Sequence, residues 1–380
     1  MPFYIYQQKV WPNFFWDQEE IAPVLAKVRH NQGRLLGRME SMGFTLQAEA
    51  NLQTLTLDVL KSSEIEGEIL DVDQVRSSIA RRLGMDIAGL IPSDRHVEGI
   101  VEMMLDATQN YSAPLTEERL FNWHAAMFPT GRSGMHKIVV GNYRDNSIED
   151  PMQVVSGPMG KEKVHFQAPD SEVLAVEMMK FIHWFNSTNE IDPVLKAAVA
   201  HLWFVTIHPF DDGNGRITRA ITDMQLSRAD QSAQRFYSMS SQIRVERKEY
   251  YDILERTQKG SLDVTNWISW FLDCLDRALA ETEETLAVVM EKARFWEKHK
   301  ATSLNDRQRI MLNKLLDGFD GKLTSSKWGK ITKSSHDSAL RDINDLVQRG
   351  ILVKEPGGGR STSYVLPAKT SEGQDSLSGS

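Results

Sequence analysis

One cysteine in 380 residues, Cys274, excludes an intramolecular disulfide framework and a multi-cysteine zinc site, and makes a reducing compartment the expected setting. Its neighbours Trp270, Phe271, Leu272 and Leu275 mark it as a buried structural thiol. Long apolar runs are also missing: nowhere do about eighteen or more apolar residues follow one another without charge, so no spanning helix is expected. The longest apolar stretch, Ala197 to Ile207, is interrupted by His201 and suits a buried core helix. Met1 to Val10 lack a basic segment followed by an apolar one, so export is not expected and the cytoplasm is the expected location. Positive charge is not in excess, since 44 Lys and Arg stand against 52 Asp and Glu for a net charge of −8. That balance excludes a surface that is a nucleic-acid footprint throughout, though not a local basic module.

Apolar residues make up 41% of the chain and charged residues 25%, so the bulk of it folds, and the length predicts two or three units. The opening residues are dense in aromatics (Phe3, Tyr4, Tyr6, Trp11, Phe14, Phe15, Trp16) and read as a strap packed on the core. Ile21, Val24, Leu25 and Val28 recur at helical spacing, and a second helix is expected from about Leu46 to Ile65, stopped at Gly67. Lys137 to Pro169 differs from its helical surroundings. It holds KIVVGNYR and MQVVSGPMGKEKVHFQAP, with β-branched runs on either side of Gly157, Pro158 and Gly160, and is read as a β-hairpin. Asp192 and Pro193 then supply an N-cap and first-turn residue for a helix to about Ile207.

The chain divides into an N-terminal extension (1–92), a helical body (93–280), a charged helical connector (281–302) with Leu286, Val289, Ala293 and Trp296 on one stripe, a C-terminal module (303–367) and a tail (368–380) expected to be disordered. The C-terminal module reads helix, helix, helix, then two short strands around Gly357, Gly358 and Gly359, an order that resembles a winged helix. It sums to +4, whereas residues 1–302 sum to −11.

Between two helices of the body lies His208-Pro209-Phe210-Asp211-Asp212-Gly213-Asn214-Gly215-Arg216-Ile217-Thr218-Arg219. Two glycines flanking Asn214 let backbone N–H groups converge at a helix N-terminus, where the macrodipole also favours negative charge. Arg216 and Arg219, three apart on one helical face, are placed to grip phosphate oxygens beside that nest. Asp212 offers a hard carboxylate for a Mg²⁺ that bridges those oxygens. His208 is the one group of the loop whose ordinary pKa lies near neutrality, as a base accepting a hydroxyl proton needs.

These residues match, in order and spacing, the signature HPFx[D/E]GNGRxxR of the Fic family. Upstream, Ser62-Ser63-Glu64-Ile65-Glu66-Gly67 is similar to the family's inhibitory pattern [S/T]xxxE[G/N], in the N-terminal position of one of its classes. The hairpin with Val154, Val155, Ser156 and Gly157 resembles the family's flap, and Tyr250, Tyr251 and Gln258 resemble positions lining the adenine side of its nucleotide pocket. The resemblance implies a mainly α fold, a Fic helical bundle with a β-hairpin flap, here followed by the winged helix. It also implies a protein adenylyltransferase that uses ATP and Mg²⁺ to place AMP on a Tyr, Thr or Ser hydroxyl of a target protein, with self-modification and a homodimer as further expectations and no membrane partner.

In that scheme His208 deprotonates the hydroxyl, Asp212 holds Mg²⁺, the Gly213 to Gly215 amides stabilise charge on the α-phosphate, and Arg219 takes the γ-phosphate. Glu66, presented by Ser62 to Gly67 on an inhibitory helix (about 46–67), pairs with Arg219 and displaces that phosphate. Removal of AMP by the same site is one alternative, and a DNA-binding regulator with a nucleotide-sensing Fic portion is another. Phosphoryl transfer is disfavoured because Gly215 is intact. For residues 303–367, Arg341, Arg349, Lys354 and Arg360 speak for DNA and Asp337, Asp342 and Asp345 against, leaving substrate docking or dimerisation as the other uses.

Overall fold

A computed structural model describes residues 3–85, 90–158, 160–188, 190–316, 319, 321–355 and 362–367. The chain divides into two compact units, Met1–Glu284 and Thr285–Ser380. In order, the first holds α1 (Gln18–Glu40), α2 (Phe44–Ile65), α3 (Val72–Arg82), α4 (Arg95–Gln109), α5 (Glu117–Met127), β1 (Arg132–Ser133), β2 (His136–Lys137), β3 (Gln153–Ser156), β4 (Lys163–Gln167), α6 (Leu174–Asn186), α7 (Pro193–Ile207), α8 (Asn214–Asp230), α9 (Met239–Val245), α10 (Arg247–Gln258) and the start of α11 (Thr265–Lys298). No helix among the described residues is long and apolar enough to cross a membrane.

The centre of this unit is α7, buried from Val194 to Ile207 on every side. A helix without a polar face belongs in the middle of a bundle, because any solvent-facing side would leave apolar surface in water. Around it, Leu55 and Val59 of α2, Ile100 and Met104 of α4, Trp123 of α5, Phe181 and Phe185 of α6, and Ile217 and Ile221 of α8 close one core. Helix starts follow local chemistry: the side chains of Asp17, Asp71, Asp94, Thr116 and Asp192 each accept backbone N–H groups of the following turn. Gly99 lets α4 touch the end of α5 backbone to backbone, since a Cβ there would lie 1.8 Å from the Ala126 carbonyl oxygen.

The aromatic strap packs as expected. Tyr4 meets Phe166 of β4 edge-on at 5.2 Å, and Trp11 and Phe14 both pack on Trp203 of α7. Phe3 and Phe15 remain exposed. Cys274 is buried.

One expectation is corrected. The hairpin is confined to β3 and β4, paired Gln153↔Gln167 through Ser156↔Lys163 with an irregularity between Val154 and Val155. KIVVGNYR (137–144) is not one of its strands; its backbone bonds instead to the loop after α7, through Val139 N–H to the Asp211 carboxylate and Arg144 N–H to the Pro209 carbonyl. The expected helical connector, 281–302, overlaps the C-terminal part of α11. No Gly or Pro interrupts Thr265–Lys298, so α11 continues through it, and the units divide after Glu284. The side chains of Leu286, Val289 and Ala293 lie outside the described residues.

The second unit contains α12 (Asp306–Leu316), α13 (Ser325–Ile331), α14 (His336–Gln348) and antiparallel β5 (Val353–Lys354) and β6 (Tyr364–Val365), with Leu323 bridging to Tyr364. Met311, Leu312, Trp328, Ile343, Leu346 and Leu352 form its core. Gly357, Gly358, Gly359, Arg360 and the tail 368–380 lie outside the described residues.

Candidate active site

The loop between α7 and α8 is held by its own residues and by distant ones, Ser133, Val139, His124 and Arg144 among them. His208 ends α7 in the left-handed region, at φ 52 and ψ 57, where a side chain other than glycine's is strained. Arg144, itself buried, holds that turn by donating from Nε to the His208 carbonyl at 2.8 Å. Asn214 staples the loop from within: its amide accepts from Phe210 N–H at 2.9 Å and donates to the Phe210 carbonyl at 2.7 Å. His124 stacks on Phe210 with ring centroids 4.4 Å apart. Its Nδ1 faces the N–H of Gly141 at 3.1 Å and must accept, which leaves Nε2 to donate to the Asp212 carbonyl at 3.2 Å. Burial lowers its pKa to about 4, so it works as a neutral positioning residue.

The same rule sets the tautomer of His208. Its Nδ1 lies 3.3 Å from the Val205 carbonyl, which can only accept, so the proton sits on Nδ1 and Nε2 keeps a lone pair. Burial lowers this pKa as well, to about 4, below the near-neutral value expected from the residue type alone. The ring is therefore in its base form throughout the physiological range.

Gly213, at φ 81, turns the chain into α8, whose first amides lie at Asn214, Gly215 and Arg216. The Asp212 carboxylate takes the Ser133 hydroxyl on one oxygen and the Gly213 N–H, at 2.5 Å, on the other. One carboxylate with a neighbouring hydroxyl is a hard oxygen set suited to Mg²⁺, which takes one or two carboxylates plus substrate phosphates rather than an all-protein cage. Among the described residues, no group of three or more His, Cys, Asp and Glu could hold a metal ion.

Arg216 and Arg219 are both buried, but each already has a carboxylate from beyond the end of α2. Arg219 donates from Nε to Ser62 Oγ, and from Nη2 to the Ser62 carbonyl and Glu66 Oε1, all at 2.8 Å. Arg216 donates from Nη1 to Glu68 Oε2 at 2.8 Å. Among the described residues, two buried guanidinium nitrogens, Arg216 Nε and Arg219 Nη1, find no acceptor within hydrogen-bond geometry. Arg219 Nη1 faces the first turn of α8, 3.2 Å from where a Cβ on Gly215 would stand, and the Glu66 Oε1 atom lies 2.0 Å from the same point. Gly215 is thus a cradle in which an anion approaches the helix start against bare backbone, and Glu66 fills it.

On the other side, Val155, Ser156 and Gly157 are exposed at the tip of the hairpin. His165 of β4 ties the hairpin to α10, its Nε2 2.5 Å from Ser156 Oγ and its Nδ1 2.6 Å from Glu255. Tyr250 and Tyr251 flank the Glu66–Arg219 pair, both with phenol pKa values raised chiefly by burial. The Tyr250 hydroxyl is bonded to His201 Nε2 at 2.9 Å. Gln258 is buried and donates to Thr206 of α7 at 3.3 Å. Arg144, Ser133, His124, Glu68 and His165 were missed by sequence reasoning; KIVVGNYR, the segment with Arg144, stood out only as a supposed strand.

Residues 114–226 match the family described as Fic/DOC. The chain carries a Fic domain. Residues 4–85 match a second family, described as a domain of unknown function, DUF4172, which covers the strap and the helix bearing Ser62 and ends beyond Glu68. "Protein adenylyltransferase Fic" of Drosophila mojavensis is 29% identical over 226 residues, 58% of this chain and 40% of that protein. The protein of the same name from Aedes aegypti is 29% identical over 227 residues, with the same two shares. The alignment thus spans about two-fifths of the length of these relatives. A crystal structure of a Fic family protein from Desulfovibrio desulfuricans G20 superimposes with a TM-score of 0.52 at 21% identity, over 95% of this chain and 99% of that one. The likeness in fold therefore extends to both sides of the matched segment.

Proposed function

We propose that this chain is a protein adenylyltransferase, moving AMP from ATP to a Tyr, Thr or Ser hydroxyl of a target protein, and that Glu66 inhibits it. The observation that carries this reading is the pair of buried guanidinium nitrogens without acceptors among the described residues, beside a helix start lined by Gly215, with the lone pair of His208 in the adjoining loop. Buried donors of that kind call for an anionic partner. The name borne by the insect relatives agrees with it.

In the reaction the hydroxyl oxygen bonds to the α-phosphorus, the bond from that phosphorus to the bridging oxygen of pyrophosphate breaks, and the hydroxyl proton passes to His208 Nε2. Asp212, oriented by Ser133 and Gly213, would hold the Mg²⁺, which neutralises phosphate charge when bound. Once Glu66 is displaced, the α8 amides and Arg219, held by Ser62, position the phosphates without further reorganisation. With full-length chain, Mg²⁺ and ATP labelled on either the α- or the γ-phosphate, the α-label alone is expected on protein, with pyrophosphate released. Transfer of the γ-label would overturn the reading in favour of phosphoryl transfer.

For the second unit we infer a winged helix that reads duplex DNA. Lys322, Lys327, Lys330 and Lys333 lie in a stretch, 321–336, without a single acidic residue. α13 and α14 are joined by four residues with Lys333 at φ 50, the tight reversal of a helix-turn-helix. Two of the three aspartates that argued against DNA are turned to α12: Asp342 receives Arg307, and Asp345 receives Gln308. The exposed face of α14 carries Arg341, Asn344 and Gln348, the side chains that read guanine and adenine edges. The full chain is expected to bind a mixed-sequence duplex in fluorescence anisotropy, with Lys330→Ala lowering the slope of log K against log salt by about 0.9. Salt-independent binding, or none, would leave the module as a protein-docking unit.

A further inference from the structure

The end of α2 presents two carboxylates to α8. Gly67, at φ 85, reverses the chain: Gly67 N–H returns to the Glu64 carbonyl and Glu68 N–H to the Ser63 carbonyl. This Schellman turn requires a left-handed residue at its centre. Its consequence is that Glu66, just before the glycine, reaches Arg219, while Glu68, just after it, reaches Arg216. Glu68 is also bound on its far side, where Oε1 bonds to His96 Nε2 of α4. His96 Nδ1 lies 3.0 Å from the Met127 carbonyl at the end of α5. A carbonyl and a carboxylate both only accept, so both ring nitrogens must donate and His96 is an imidazolium in this arrangement. Glu68 is thereby clamped between two cations, one of them Arg216, which lies buried on the Phe128 ring with its Nε unpaired.

The geometry points to Glu68 as a second inhibitory carboxylate, occupying Arg216 as Glu66 occupies Arg219, with His96 as the residue that holds it in place. This rests on the reading of the α8 start as a nucleotide site. A polyphosphate that takes both arginines must displace both acids, so removing Glu66 alone leaves the site half closed. The charges acting on the clamp are Glu68 from the α2 turn, Arg216 from α8 and Asp212 from the loop, the last repelling Glu68. The hydrogen bond from His96 lowers the Glu68 pKa, and the same bond raises that of His96 above 6.5. The clamp is therefore complete at pH below 6.5 and is lost as the pH rises through the raised value, so inhibition by Glu68 weakens on the alkaline side.

The test is MgATP affinity by calorimetry on the full chain, for the parent, Glu66→Gly, Glu68→Gln, the Glu66→Gly/Glu68→Gln pair and Glu66→Gly/His96→Gln, at about pH 6 and about pH 8.5. Glu68→Gln is expected to tighten binding about tenfold, and the pair to bind about tenfold more tightly than Glu66→Gly at the lower pH. The affinity of Glu66→Gly should rise towards that of the pair at the higher pH, and adding His96→Gln to Glu66→Gly should abolish the difference. A pair that binds no better than Glu66→Gly at either pH would overturn the role of Glu68. Failure of every variant to bind MgATP would instead remove the nucleotide-site reading on which it rests.

Discussion

Glu66→Gly is expected to raise transfer of α-labelled AMP by about 10- to 100-fold. Two effects of the substitution act together. It frees Arg219 Nη2, which the carboxylate now holds at 2.8 Å, and it empties the space over Gly215, where Glu66 Oε1 stands 2.0 Å from a would-be Cβ. The second matters more, because attraction to an arginine can be shared with a phosphate whereas occupied volume cannot. Loss of the pair does not strand Arg219, since the Ser62 hydroxyl and carbonyl keep two of its N–H groups, and the glutamate side chain is about one-third exposed. The cost in stability is accordingly below the 3 to 5 kcal/mol or so of breaking a fully buried ion pair. Incorporation of label and a thermal melt on the same preparation check both parts. No gain in label would remove Glu66 as the inhibitor while leaving the transfer reaction standing.

His208→Ala in the Glu66→Gly background should lower transfer about 10²- to 10⁴-fold, the range of a lost general base, with MgATP affinity unchanged. The ring contributes a lone pair rather than a contact to phosphate, so binding and turnover separate. Its pKa, lowered to about 4 by burial, also predicts the pH profile. The base is unprotonated at neutral pH and becomes protonated only as the pH falls through about 4, so the rate shows no break near 6.5 that belongs to His208. A sigmoidal loss of rate centred near 6.5 in a variant lacking His96, or full activity of His208→Ala, would contradict this assignment.

Much of the Fic body is legible in the sequence because its signals are local. Asp192 before Pro193 starts α7, Gly67 stops α2, and the twelve residues from His208 to Arg219 form one loop and one helix start in which each group lies within a few bonds of the next. Where the reading failed, burial or long-range pairing decided. KIVVGNYR has the β-branched composition of a strand, but only Lys137 joins a ladder, as the end of β2, and further along the amides of Val139 and Arg144 go to Asp211 and Pro209. Asp342 and Asp345 look like an acidic face of α14 until α12 places Arg307 and Gln308 against them. Arg144 and His124 are ordinary residues in sequence, with no motif to mark them, yet they hold the backbone of His208 and Asp212.

The sequence by itself determined that a glycine-flanked helix start with a histidine beside it would exist, since backbone conformation and capping depend on adjacent residues. Only the tertiary structure decided what occupies that start. Arg216 and Arg219 meet carboxylates 148 and 153 residues away, and the tautomer and low pKa of His208 follow from its packing against Val205 and the core. Charge pairing and desolvation depend on distance in space, which the order of residues does not record.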